Sequence, residues 1–170
     1  FLDGARLAYA LGCPANELTL PAIARLTDVF YIGGTKCGAL LGEAVVFPKA
    51  GIVPHFFTIV KQSGALLAKG RVLGIQFDTL FTDGLYERGG AHAVTAADHI
   101  RAALTEKGYQ IAVDSPTNQI FLALDDAQHA HLSAHVSMGF WEKQGDVTIM
   151  RIATSWATRD ADVERLIAVL

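Results

Sequence analysis

Cysteine is almost missing: Cys13 and Cys37 are the only two in 170 residues, and they lack CxxC spacing. A disulfide framework and a thiolate zinc site are therefore excluded, and a reducing, cytoplasmic setting is the expectation. Charge is scarce too, at 18% of residues. The formal net charge of -3 at pH 7 leaves no basic face for nucleic acid and no polybasic run for an anionic membrane surface. Mean hydropathy is high, +0.31. Even so, no run approaches the roughly 18 uninterrupted apolar residues that a membrane-spanning helix needs. No GxGxxG, P-loop or GxSxG pattern occurs, which argues against dinucleotide, nucleotide and α/β-hydrolase chemistry. Internal repeats and low-complexity segments are absent. The classes left are a heavily buried, oligomeric protein and a small-molecule or protein partner.

What is present is apolar: 51% of residues are hydrophobic, enough for a substantial core. Residues 1–4 read as the end of a strand and "ARLAYAL" as a short helix stopped by Gly12 and Pro14. Thr19 can cap "LPAIARL", with Pro21 tolerated in its first turn. "DVFYI" and "EAVVF" read as buried strands, ended by Gly33–Gly34 and by Pro48. Apolar strands alternating with helices predict an α/β fold with a largely parallel sheet covered on both faces. Residues 54–80 have a helical period and predict one long helix, despite Gly64, Gly70 and Gly74. Another helix is expected over about 90–107, ended by Gly108 after Lys107. Then "YQIAV", "QIFLAL" and "VTIMRIAT" read as strands, with helices near 126–137 and from Asp160 onward. This change of texture places a boundary near residue 88, between an α/β part at 1–88 and a small α+β domain at 89–170.

Lys36 stands in "YIGGTKCG", in the connection between the two apolar strands. A lysine there can act as a nucleophile when burial and nearby cations favour its neutral amine. Gly33, Gly34 and Gly38 would let the backbone pass close to a planar ligand. The alternative is a loop lysine that extends to solvent. Asp3 and Arg6 flank a strand-to-helix turn at the carboxyl edge, where open α/β sheets bind ligands. The aspartate could hold a proton on a heterocyclic nitrogen and the arginine could grip a carboxylate. Arg151 interrupts an apolar strand, so it must either bind an anion or pair with an internal carboxylate. His131 and His135 have a zinc-chelating spacing on one helix face. Without an adjacent glutamate or a third ligand, they read as a solvated face, and no metal is expected.

Taken together, "FLDGARLAYAL" followed by "DVFYIGGTKCGALLGEAVVF" resembles the low-specificity L-threonine aldolases. These lie in the β-eliminating-lyase group of fold-type-I pyridoxal-phosphate enzymes, and the similarity runs on to "MRIATSWAT". The resemblance implies part of the mostly parallel-sheet large domain followed by a small C-terminal α+β domain. It implies pyridoxal phosphate carried by Lys36 as a Schiff base, with Asp3 at the pyridine nitrogen and Arg6 at both cofactor and substrate. Arg151 would join Arg6 at the amino-acid carboxylate, and Lys61 and Lys69 are candidates for the cofactor phosphate across a subunit interface. The implied reaction cleaves L-threonine or L-allo-threonine to glycine and an aldehyde, in a homodimer or homotetramer with shared active sites. Thr154 is followed by Ser155 where relatives carry a threonine–histidine pair, which leaves substrate preference open. The family's N-terminal half has no counterpart here, so the expectation is the C-terminal portion of a protein about twice as long. Two alternatives stand beside this reading: a pyridoxal-phosphate β-eliminating lyase, and a cofactor-free dimerisation or binding remnant.

Overall fold

The structure, a computed structural model, describes residues 1–170. Two short helices, α1 (Leu7–Leu11) and α2 (Leu20–Leu26), precede strand β1 (Phe30–Ile32). α2 starts where expected: the Thr19 side chain accepts from the Ala22 amide at 3.4 Å and Pro21 sits in the first turn. Such a cap contributes about 1 kcal/mol. A loop carrying Lys36 leads to β2 (Ala44–Val46), and then come α3 (Phe56–Gln62), α4 (Arg71–Phe81) and α5 (Leu85–Glu106). The last part contains β3 (Gln110–Val113), β4 (Gln119–Leu124), α6 (Asp126–Ser133), β5 (Gly139–Gln144), β6 (Val147–Ala153) and α7 (Asp160–Ile167).

Helix α5 organises the molecule. Tyr86, Ala93 and Val94 from its first half join a core with Leu7, Tyr9, Phe30 and Ile32. Ala96, Ala97, Ile100 and Leu104 from its second half join another, with Ile120, Leu122, Leu124 and Leu132. The boundary read near residue 88 thus falls inside a continuous helix. α1 crosses α5 at glycines: a Cβ on Gly90 would strike the Ala8 carbonyl, and one on Gly12 would strike the backbone at Ala91. α5 ends as its sequence predicts, at Lys107 with Gly108 in the left-handed region at φ +81°.

Four local readings need correction. β1 and β2 pair antiparallel, Phe30 opposite Val46 and Ile32 opposite Ala44. No helix separates these strands, so the chain returns by a loop instead of a crossover, and the return is antiparallel. The parallel contact within the chain is the single bridge between Leu2 and Phe30. The long helix over 54–80 is two helices, because Gly64 adopts φ +69° and residues 61–72 lie on exposed surface with no core to hold a continuous helix together. β5 was not foreseen, since its residues are all exposed and show no buried alternation. Pairing with β6 through a turn at Gly145, φ +57°, creates it. The resulting antiparallel sheet has the order β3-β4-β6-β5. α6 also stops at Ser133, short of 137, although Asp125 and Gln128 form a full capping box at its start.

Candidate active site

Two backbone segments are pressed together at the end of β1. The Gly33 amide donates to the Gly4 carbonyl at 2.8 Å and the Tyr31 amide to the Leu2 carbonyl at 3.3 Å. A Cβ on Gly4 would collide with the Tyr31 carbonyl, and one on Gly33 with that of Ala5. Only glycine permits this approach. It brings Asp3, Arg6 and Lys36 to one edge, where Asp3 accepts hydrogen bonds from the Tyr31 hydroxyl and, at 3.0 Å, from the Ala5 amide. Those two bonds, helped less by the charges of Lys36 and Arg6, hold the Asp3 carboxyl below the usual carboxylate range against its desolvation. The same contact with Asp3 raises the Tyr31 phenol.

The Lys36 loop is held from behind by side chains of other elements. Tyr9, from α1, donates its hydroxyl to the Lys36 carbonyl, and Tyr86, from α5, donates to the Gly33 carbonyl at 2.8 Å. Glu43 accepts from the Gly34 amide at 2.5 Å and from the Thr35 hydroxyl at 3.1 Å. Within the loop, the Cys37 and Ala39 amides both reach the Gly34 carbonyl, at 2.9 and 3.0 Å. Burial pushes the Tyr9 phenol up to about 12, and raises Tyr86 and the Cys37 thiol as well. The side chain of Lys36 itself is exposed. Sequence reasoning missed Tyr9, Tyr31, Glu43 and Tyr86. The tyrosine partners lie 27, 28 and 53 residues away in the chain, and a tyrosine among apolar neighbours reads as core.

A cavity of about 270 Å³ opens beside this edge, lined among others by Asp3, Arg6, Tyr9, Asn118 and Gln119. Gln119 links it to Arg151, whose Nη1 donates to Gln119 Oε1 at 3.2 Å. The Arg151 guanidinium lies 5.6 Å from the centroid of the Trp141 ring, which in turn meets Phe121 edge-on at 5.0 Å. Of the two options for an arginine on this strand, an internal carboxylate partner is not realised. Its neighbours are an amide and an indole, which orient the charge without neutralising it. Lys61, on α3, and Lys69, just before α4, are exposed. The His131 and His135 rings lie 5.3 Å apart on exposed surface, with His131 Nε2 at 2.8 Å from the Val169 carbonyl.

A solved threonine aldolase from Leishmania major superposes with a TM-score of 0.94 at 44% sequence identity, covering 99% of this chain and 50% of that one. The chain is similar to threonine aldolases along nearly its whole length. Low specificity L-threonine aldolases of a Pseudomonas species and of Pseudomonas aeruginosa are 32% and 30% identical to it over 173 and 169 residues. Those alignments cover 98% and 97% of this chain but 48% and 46% of the relatives, so it spans about half their length. Serine palmitoyltransferase of Sphingomonas wittichii shares the fold at 15% identity, with a TM-score of 0.61 over 87% of this chain and 40% of that one. The architecture is thus that of the fold-type-I enzymes, of which this chain contains a part. No family model matches it.

Proposed function

We propose that this chain supplies the lysine, aspartate and arginines of a pyridoxal-phosphate-dependent threonine aldolase. Its substrates would be L-threonine, L-allo-threonine and related β-hydroxy-α-amino acids, cleaved to glycine and an aldehyde. The observation that carries the reading is the meeting of Asp3, Arg6 and Lys36 at one edge of a chain that superposes on a threonine aldolase over 99% of its length.

The donor set fits the cofactor. Asp3 is held as a carboxylate, the form needed to face a protonated pyridine nitrogen. Lys36 is exposed, and only its main-chain carbonyl is engaged by a neighbouring side chain, which leaves the amine free to carry an aldehyde group. Glycine-only contacts at Gly4 and Gly33 let the backbone segments that carry Asp3 and Lys36 meet. When bound, pyridoxal phosphate supplies an electron sink for the pair released at Cα as the Cα–Cβ bond breaks. Asp3 would keep a proton on the ring nitrogen, and Arg6 and Arg151 would bind the amino-acid carboxylate and so fix which bond at Cα is aligned for cleavage. Lys36 would hold the cofactor between turnovers.

The remaining assignments belong to the same proposal. Residues 1–88 would be part of the cofactor-binding domain and 89–170 the small domain. Lys61 and Lys69 would bind the cofactor phosphate of a neighbouring copy, in a homodimer or homotetramer with shared sites. Two free cysteines fit a reducing, cytoplasmic compartment. The test is to express the whole reading frame, record its visible spectrum with pyridoxal phosphate, and assay glycine and acetaldehyde released from threonine. The expected result is an absorbing, active protein that loses both properties on Lys36→Ala. A borohydride-reducible adduct that persists in Lys36→Ala would overturn the assignment of the lysine.

A further inference from the structure

We infer that Tyr9 and Tyr86 are positioning residues for Lys36, a pair of buried phenols that hold the lysine loop at its start and at Lys36 itself. This rests on the proposed cofactor role of Lys36. Tyr86 holds Gly33, where β1 stops, and Tyr9 holds the carbonyl of Lys36 itself. The two come from α5 and α1, and those helices are locked to each other at Gly12 and Gly90. Both rings are almost wholly buried, 2% and 1% exposed, so neither hydroxyl can exchange its partner for water. The chain makes a tight turn around Lys36, closed by the Cys37 and Ala39 amides on the Gly34 carbonyl. The backbone of Lys36 is therefore tied to the most buried packing of the first core, while its side chain projects freely. That is the arrangement a reacting group needs: a rigid base and an accessible end. Glu43 closes the solvent side of the same turn through Gly34 and Thr35, and it fixes neither anchor.

The test uses the full-length protein loaded with pyridoxal phosphate, and the variants Tyr9→Phe and Tyr86→Phe. Each deletes one hydroxyl and keeps the ring. Ile100→Val, a small deletion in the other core, controls for lost stability alone. The induced visible circular dichroism of the bound cofactor reads how the ring is held, and steady-state kinetics separates kcat from KM. Tyr9→Phe is expected to lower kcat about tenfold, with KM nearly unchanged, and to about halve the dichroism per bound cofactor. Tyr86→Phe should act in the same direction, and Ile100→Val should lower the unfolding temperature without changing either readout. Wild-type kcat and dichroism in both tyrosine variants would overturn the inference, as would the same spectral change in Ile100→Val. Hydrogen exchange of the unmodified protein covers variants that do not fold: the Cys37 and Ala39 amides should be protected as well as those of α1, and free exchange there also overturns the clamp. If the unmodified protein binds no cofactor, the proposed function fails, and the exchange experiment still judges the loop.

Discussion

Arg151 keeps its charge on an apolar strand because its neighbours are chosen for geometry: Gln119 accepts one N–H and the Trp141 face lies under the guanidinium. A lysine could neither stack in this way nor present a two-pronged donor to a carboxylate. Arg151→Lys is therefore expected to raise KM for threonine by about tenfold or more, with a smaller change in kcat, measured by initial rates. Tyr9 offers a different test. Burial lifts its phenol from about 10 in the unfolded chain to about 12 in the fold. The folded state thus favours the neutral phenol, and this contribution to stability is complete below pH 10 and lost as pH rises from 10 to 12. Unfolding midpoints measured across that interval should fall for the native protein. In Tyr9→Phe the fall should be shallower, though not abolished, because Tyr86 is shifted in the same direction.

Helix α5 needs its glycine at the α1 crossing. In Gly90→Ala the new methyl would meet the Ala8 carbonyl, which belongs to a rigid backbone. The helices must separate, and the expected loss is about 1–3 kcal/mol by urea denaturation, as for other overpacked cores. Because α1 carries Tyr9 and α5 carries Tyr86, this variant should also weaken retention of the cofactor. α7 illustrates the opposite limit, an exposed electrostatic device. Arg159 and Arg165 both bind Asp162 and lower its carboxyl to about 2. The folded state favours the carboxylate, so this stabilisation is present above about pH 4 and is lost as pH falls toward 2. Acid unfolding of Asp162→Asn should lack that part of the slope, and high salt should reduce the difference between the two proteins.

Across the molecule, apolar surface is left uncovered on one stretch. Leu40 is 90% exposed, Phe57 67% and Ile75 60%, with Leu67 and Val72 near half. Exposed apolar side chains in such number are commonly covered by other protein, and the chain accounts for only about half the length of its curated relatives. The 170 residues produced alone should bind a hydrophobic dye such as ANS and self-associate in analytical ultracentrifugation. A protein of the relatives' length should bind far less dye per chain. Equal dye binding by the two would show that this surface is not what the additional length covers.

The features legible in the linear order are those made by near neighbours. Thr19 caps α2 and Gly108 ends α5, because each contact there is set by a few adjacent backbone angles, whereas Asp3 and Lys36 meet only through the long-range approach of Gly4 to Gly33. The features that had to be seen in space depend on residues far apart in the chain. Tyr9 and Tyr86 look like core tyrosines until the fold brings their hydroxyls to the carbonyls of Lys36 and Gly33. β5 has no pattern of its own and exists through pairing with β6. The segment over 54–80 has the period of one helix but divides in two at Gly64, since no core lies beneath it to offset the conformational entropy of a continuous helix. The candidate site residues were readable in the sequence through the family pattern they match. The rigidity of the lysine loop comes from long-range hydrogen bonds, which form only after the two helices have packed and excluded water from the carbonyls between them.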